Sequence, residues 1–281
     1  MKRILVCSDG SKYAQVCCQY AGWLSGHTGA ALEILYVTDL RQFEVPLIAD
    51  LSGSLGIQPY QAILGQLQEL ETKKAGIVLE DARRIAAEAG AGERVETTHK
   101  TGLLVDCLTD YEKNADLVML GKRGENANFA TEHLGSTMER VVRASTRPCL
   151  VTSRSFKPVQ RLLLAYDGGE SCRRAAKFLA ESAAFKGLEL HVVTVAGAID
   201  ADLALKHLQE AEAVVREGGF EPVCQMLHGT PEEQISAYVT GNDIHMLVMG
   251  AYGHSRIRYL IIGSTTTEMI RTCKVPVLLF R

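Results

Sequence analysis

The sequence predicts an α/β protein: two tandem doubly wound, Rossmann-like domains, each built on a five-stranded parallel sheet. Three observations carry this expectation. Short apolar runs alternate with stretches of helical periodicity along the chain, the pattern of a parallel sheet with crossover helices. The two halves repeat each other. Arg3-Ile-Leu-Val-Cys-Ser-Asp9-Gly10 answers Arg161-Leu-Leu-Leu-Ala-Tyr-Asp167-Gly168, and Asp116-Leu-Val-Met-Leu-Gly121-x2-Gly124 answers His245-Met-Leu-Val-Met-Gly250-x2-Gly253. Gly135-Ser136-Thr137 followed by Pro148 answers Gly263-Ser264-Thr265 followed by Pro276, with the same spacing of 13 (148 − 135 and 276 − 263). Finally, 281 residues suit two domains of ordinary size.

In the first half, apolar runs place strands near 3–7, 31–37, 95–99, 117–120 and 149–151. The repeat offset falls from 158 (167 − 9) to 129 (250 − 121), so this half carries about 29 extra residues between Leu40 and Leu70. Within them, Arg41 to Tyr60 mixes Pro46, Gly53, Gly56 and Pro59 with apolar residues, which reads as a loop with little regular structure. A lid or contact surface and simple core packing both fit it. Ser153 to Gln160, broken by Pro158 and charges, is the expected linker, dividing the chain into domains 1–154 and 155–281.

In the second half, 161–165 is a short strand, and 171–186 has helical spacing through Ala175, Leu179 and Ala183. A strand follows over 188–195. A helix over 201–217 is expected to bury Leu203, Leu205 and Leu208, and Gly218-Gly219 stops it. A strand covers 223–227, Pro231 suits the first turn of a helix, and 246–249 is the fourth strand. A helix near 266–272 and a strand over 276–280 complete the half.

Right-handed crossovers and the expected strand order 3-2-1-4-5 place the first and fourth strands side by side. Ligands of such sheets bind beyond the carboxyl ends of the strands, where the order reverses. Asp167 and Gly250 end those two strands and therefore line one crevice. Asp167 suits a turn or helix cap as well as a ligand contact, and one side chain can serve both.

Composition excludes several classes. With 47% hydrophobic and 22% charged residues and net charge −3, the chain has no basic excess for nucleic acid or anionic membrane. No apolar run approaches a membrane span, and the four apolar residues after Lys2 and Arg3 are too few for a signal-peptide core, so a cytoplasmic protein is expected. The eight cysteines are scattered among apolar residues without a CxxC pair, which favours buried, reduced thiols.

The chemistry concentrates after the fourth strand of the second half. The run 246–249 breaks at Gly250 and Gly253, and nine residues separate Gly253 from Gly263, which Ser264, three threonines and a helix follow. Glycines let backbone approach a ligand closely, and free N–H groups at a helix start favour an anion. Turn and helix-start duties alone would also place glycines here. Thr265 with Glu268 fits a capping box, which would satisfy part of that helix start without a ligand. Of the loop cations His254, Arg256 and Arg258, at most one is expected to reach a phosphate.

The spacing Gly250-x2-Gly253-x9-Gly263-Ser264 resembles the nucleotide-binding signature of the universal stress protein family, and the likeness spans nearly the whole chain as two copies. It implies an ATP-binding regulator of stress responses. By this resemblance the loop after the first strand, with Asp167, contacts adenine, and residues near Val193 line the adenine pocket. The glycine loop holds ribose and phosphates, with Ser264 and Thr265 meeting the phosphates. Magnesium is expected to enter with them, since no carboxylate cage is evident in the sequence. Terminal strands that meet between single-domain relatives are expected to meet within this chain, as an internal pseudo-dimer that also leaves room for a homodimer.

The first half departs from the signature. Ten residues separate Gly124 from Gly135, Glu125 and Glu132 among them, so a nucleotide is expected to bind weakly or not at all there, although Lys122 and Arg123 could attract phosphate. No GxxxxGK[ST], HExxH or GxSxG motif is present, and catalysis is not expected beyond slow ATP hydrolysis. The rival reading is a nucleotide-independent scaffold that holds an apolar ligand beneath Phe43 to Leu55. The protein partner, like the stress sensed, is not legible.

Overall fold

The computed structural model describes residues 1–39, 60–124, 136–197, 201–251 and 263–281. The first half runs β1 (Arg3–Cys7), α1 (Lys12–Thr28), β2 (Ala31–Thr38), α2 (Tyr60–Ala86), β3 (Val95–Thr101), α3 (Leu104–Glu112), β4 (Leu117–Gly121), α4 (Ser136–Ala144) and β5 (Cys149–Thr152). The second runs β6 (Arg161–Ala165), α5 (Glu170–Glu181), β7 (Glu189–Val195), α6 (Ala201–Glu217), β8 (Val223–Leu227), α7 (Pro231–Gly241), β9 (Met246–Gly250), α8 (Ser264–Thr272) and β10 (Val277–Phe280).

All ten strands form one sheet in the order β3-β2-β1-β4-β5-β10-β9-β6-β7-β8. Each half has the expected 3-2-1-4-5 order with parallel neighbours. The central strands are apolar on both faces because helices cover both. Ile4, Val6, Leu162 and Leu164 pack with residues of α1, α2, α5 and α6, while Leu5, Val118, Leu163 and Leu247 pack on the other face with α3, α4, α7 and α8. This is double winding, repeated twice.

The halves join where their last strands meet. β5 and β10 pair antiparallel, with Val277 opposite Val151, Leu278 opposite Leu150 and Leu279 opposite Cys149. Each strand thus covers the other's edge, as expected of two short apolar terminal strands.

Two cations reinforce the seam. Lys122, just past β4, donates from Nζ to the carbonyls of Arg271 (2.6 Å) and Cys273 (3.2 Å) at the carboxyl end of α8. Arg281, just past β10, donates to the carbonyls of Arg143 (3.3 Å) and Ser145 (3.4 Å) at the carboxyl end of α4. With Gly135 laid on Gly263, an offset of 128 (263 − 135), these are the same two carbonyls of the repeat. A cation at a helix carboxyl terminus meets unpaired carbonyls and the negative end of the helix dipole. Each half therefore caps a helix of the other.

The segment 153–160 lies against α1. The Tyr20 hydroxyl donates to the Ser155 carbonyl (3.4 Å) and accepts from the Lys157 N–H (3.1 Å), and its ring packs edge-on to Phe156 with centroids 4.8 Å apart.

Two local expectations need correction. The helix beginning near Ser171 ends at Glu181 rather than Lys186: Ser182 leaves helical geometry (φ −85°, ψ 120°) and its hydroxyl accepts from the Ala184 N–H, starting a separate short turn. In α6, Leu203 and Leu205 are exposed, and the buried stripe is Ala204, Leu208, Ala211 and Val215. That spacing of four, three and four follows one helix face, and alanine permits close packing on α5. The first half's extra length also lengthens a helix: α2 starts at Tyr60, the last residue of the expected loop, and has 27 residues against 17 in α6. The remaining loop call, over Arg41 to Pro59, lies outside the described residues.

Candidate nucleotide-binding site

The crevice forms where β6 and β9 run side by side, with Ala165 in register with Met249. Asp167 leaves the carboxyl end of β6 with its side chain exposed, and its Oδ1 accepts from the Gly169 N–H at 2.8 Å. This is a turn bond and not a helix cap, since α5 has Gly169 at its N-cap and no side-chain cap. Gly168 between them has φ +75°, and a Cβ there would lie 2.4 Å from Nε2 of His207 on α6. Glycine is required at this turn by both conformation and space. The His207 Nδ1 is buried and has no hydrogen-bond partner among the described residues.

On the neighbouring strand, Gly250 is held by packing. A Cβ on it would come within 2.7 Å of Ser171 Oγ and 3.0 Å of Cys172 Sγ at the start of α5. The glycine lets α5 close on β9, which brings the Asp167 turn beside the carboxyl end of β9.

Gly253, His254, Arg256 and Arg258 lie outside the described residues. Both ends of their loop are fixed, however. The Gly263 N–H donates to the Ala251 carbonyl at 3.3 Å, and the buried Thr266 hydroxyl lies 3.2 Å from the carbonyls of both Gly250 and Ala251. The base of the loop is thus closed between β9 and α8.

The helix starts two residues earlier than expected. Gly263 is the N-cap of α8, with φ −58° and ψ 147°, and no side chain caps it. The expected Thr265–Glu268 capping box does not form. Thr265 Oγ1 instead donates to Glu232 of α7 at 2.5 Å, and Glu268 pairs with Arg271 at 2.7 Å. With Thr265 already inside the first turn, its hydroxyl is misplaced for capping. Ser264 is exposed. Among the described residues, no side chain takes the first-turn N–H groups of α8 as an N-cap usually would.

Val193 is fully buried within the sheet, between Ala165 and Gln225. Val195, two residues on and on the same face, reaches the strand end and is only half-buried. Alternation with period two identifies Val195 as the residue nearer the crevice mouth. Sequence reasoning also missed Glu232 and His207, because their elements meet the start of α8 and the Asp167 turn only through tertiary packing.

In the first half, Asp9 accepts from the Ser11 N–H at 3.0 Å, and a Cβ on Gly124 would lie 2.7 Å from its Oδ2. Gly135 lies outside the described residues. The expectation that Lys122 attracts phosphate is corrected: its ammonium is spent on the end of α8, and burial, followed by the charges of Arg123 and Arg271, lowers its pKa to about 8. Burial likewise raises the thiols of Cys17 and Cys18, the latter to about 12. All eight cysteines are unpaired, and burial disfavours the thiolate at both members of the adjacent pair. Among the described residues no helix is long and apolar enough to cross a membrane.

The geometry can be set beside known proteins. The model of the universal stress protein family matches residues 1–153 and 196–281. A universal stress protein of Synechocystis sp. is 44% identical over 288 residues, covering 100% of both chains. A universal stress protein of Thermus aquaticus is 31% identical over 133 residues, 43% of this chain and 97% of that one. The crystal structure of a universal stress protein from Archaeoglobus fulgidus superposes with a TM-score of 0.75 at 24% identity, covering 99% of this chain and 98% of that one.

Proposed function

This chain belongs to the universal stress protein family, and from that premise we propose that it is a regulatory protein of the stress response that binds ATP in its second half. The reading divides the chain into domains 1–154 and 155–281, the first with a degenerate nucleotide loop. The observation that carries it is the start of α8. A helix that no side chain caps among the described residues begins at Gly263, at the carboxyl edge of the sheet and beside the Asp167 strand. Uncapped first-turn N–H groups are the chemistry a phosphate needs.

In this reading the N–H groups after Gly263, with the Ser264 hydroxyl, hold the phosphates. Thr265 is held in place by Glu232. That carboxylate would oppose bare phosphate charge, which is a physical reason for magnesium to accompany ATP. Asp167 and the half-buried Val195, adjoining Val193, would meet the ribose and adenine from the two neighbouring strands. Gly250 sets how closely the two walls approach, and Gly253, outside the described residues, enters the reading through its spacing alone.

The test is direct. Heat extraction of the purified protein, with mass spectrometry of what is released, should yield an adenine nucleotide. Calorimetric titration of the emptied protein with ATP and magnesium should then show one site per chain. Release of no nucleotide together with no heat on titration would refute the proposal.

A further inference from the structure

The long helix α2 carries two apolar stripes. Ala75, Leu79, Ala82 and Ala86 are buried against the body of the first half. Their repeat counterparts, at the offset of 129 set by Gly121 and Gly250, are the buried Ala204, Leu208, Ala211 and Val215 of α6. That stripe belongs to the fold. The second stripe is Leu70 and Ile77, which are 60% and 72% exposed. The counterpart of Ile77 in α6 is the exposed Lys206, so the repeat has no need of an apolar residue at this position.

The charges around Ile77 are ordered. At roughly 100° per residue, Lys73, Lys74, Glu80, Asp81 and Arg84 all fall within about 60° of Ile77, as does Leu70. Lys73 and Lys74 precede Ile77 on this face, and Glu80 and Asp81 follow it, with Arg84 beyond them. A two-fold axis through Ile77 relating antiparallel copies sets Lys73 opposite Asp81, Lys74 opposite Glu80, and Leu70 opposite the methylene stem of Arg84. A parallel pairing would instead oppose lysine to lysine and acid to acid. Within one chain, Lys73 pairs with Glu69 (2.8 Å), Arg84 with Asp81 (2.6 Å) and Glu88 (3.1 Å), Asp81 also accepts from Gln15 at 3.2 Å, and Lys74 is engaged as well; docking exchanges these solvent-facing ion pairs for pairs between copies at little cost.

We infer that α2 is a self-association surface on which a second copy of this chain docks antiparallel about Ile77. The occupant follows from the charge order, which complements itself. Dimerisation here is compatible with the β5–β10 seam, since that ladder is already filled within each chain.

Sedimentation of the full chain across a concentration series should show a reversible dimer. Ile77→Arg should raise its dissociation constant at least tenfold while leaving the melting temperature unchanged, because the position is exposed. Lys74→Glu should weaken the dimer, and adding Glu80→Lys should restore it. Ile77→Cys should cross-link to itself under mild oxidation more than the wild type does, whereas Gln68→Cys, on the opposite side of the helix, should not. A chain that stays monomeric at every concentration, whether residues 40–59 or another protein cover the face, overturns the inference. So does a dimer that persists unchanged in Ile77→Arg, or equal cross-linking of the two cysteine variants.

Discussion

Leu150 and Leu278 face each other at the centre of the β5–β10 ladder, and they are the same position of the repeat. Each follows its own glycine, Gly135 or Gly263, by 15 residues (150 − 135 and 278 − 263). The flanking pairs, Val151 with Val277 and Cys149 with Leu279, interchange when the halves are exchanged. A local two-fold axis therefore passes between these leucines. Both are about fully buried, at 1% exposure.

Truncating either leucine should be costly. Leu150→Ala and Leu278→Ala should each lose about 2–5 kcal/mol of stability in urea melts. Because the two side chains are cross-strand neighbours, the double variant should depart from additivity by about 0.5 kcal/mol or more. Simple additivity would mean that the seam does not act as one unit.

The nucleotide reading predicts an asymmetry between the glycine loops. Gly263 has an ordinary negative φ, so Gly263→Val keeps its backbone while crowding the start of α8. It should weaken ATP binding by several kcal/mol, roughly a hundredfold or more in Kd, and cost only about 1 kcal/mol of stability as a poorer N-cap. Gly135→Val should leave affinity nearly unchanged. Calorimetry on both, with folding checked by circular dichroism, decides between them. Unchanged affinity in Gly263→Val, or equal losses in both, would remove the assignment.

His245 and Asp116 do one job in the two halves with different chemistry. His245 Nδ1 accepts from the N–H groups of Gln160 (3.1 Å) and Arg161 (3.2 Å). Asp116 Oδ2 accepts from those of Lys2 and Arg3. Burial, then the charge of Lys157, lowers the His245 pKa, and protonation would remove its accepting lone pair. Burial raises the Asp116 carboxyl, but the two N–H groups outweigh it and hold it below the usual range. Since His245 binds its proton more weakly folded than unfolded, its contribution is present above about pH 6.5 and is lost as pH falls below it. The Asp116 contribution, lowered from an ordinary carboxylate value, is lost only below about pH 4. His245→Asp should therefore flatten stability between about pH 5 and 6.5, read from thermal melts. An unchanged slope would show that His245 is not the titrating group.

Lys122 makes the opposite end of the pH range informative. Its pKa near 8 in the folded chain lies below the unfolded value of 10.5, so the unfolded state binds more protons between those values. The stability of the wild type relative to Lys122→Met should rise across that window and level off on either side. Buried cysteines titrate there too, but they are common to both proteins and cancel in the difference. A flat difference profile would place the ammonium in water.

Most of the architecture was legible because apolar alternation states itself locally. The strands are short runs flanked by glycine, proline or charge, and repetition supplied the strand order twice. What was misread depends on neighbours. Leu203 and Leu205 look like core, yet the stripe through Ala204 is what faces α5, and alanine advertises nothing. In Gly263-Ser264-Thr265-Thr266 any of four residues suits an N-cap, so only geometry chooses Gly263. Lys122 reaches a helix end in the other half, a contact that no local pattern encodes. Glu232 beside Thr265 is invisible for the same reason.

The antiparallel seam also bears on how the chain is made. During synthesis from the amino end, β5 is complete long before β10 exists, because β6 through β9 and their helices must be made in between. Through that interval the first half presents an apolar strand with unpaired amide and carbonyl groups along its outer side. A neighbouring nascent chain offers a chemically acceptable substitute for the missing strand. Exchanged pairs, in which the second half of one molecule completes the first half of another, are therefore the expected by-product of crowded polysomes, and slow dilution from denaturant should lower their share.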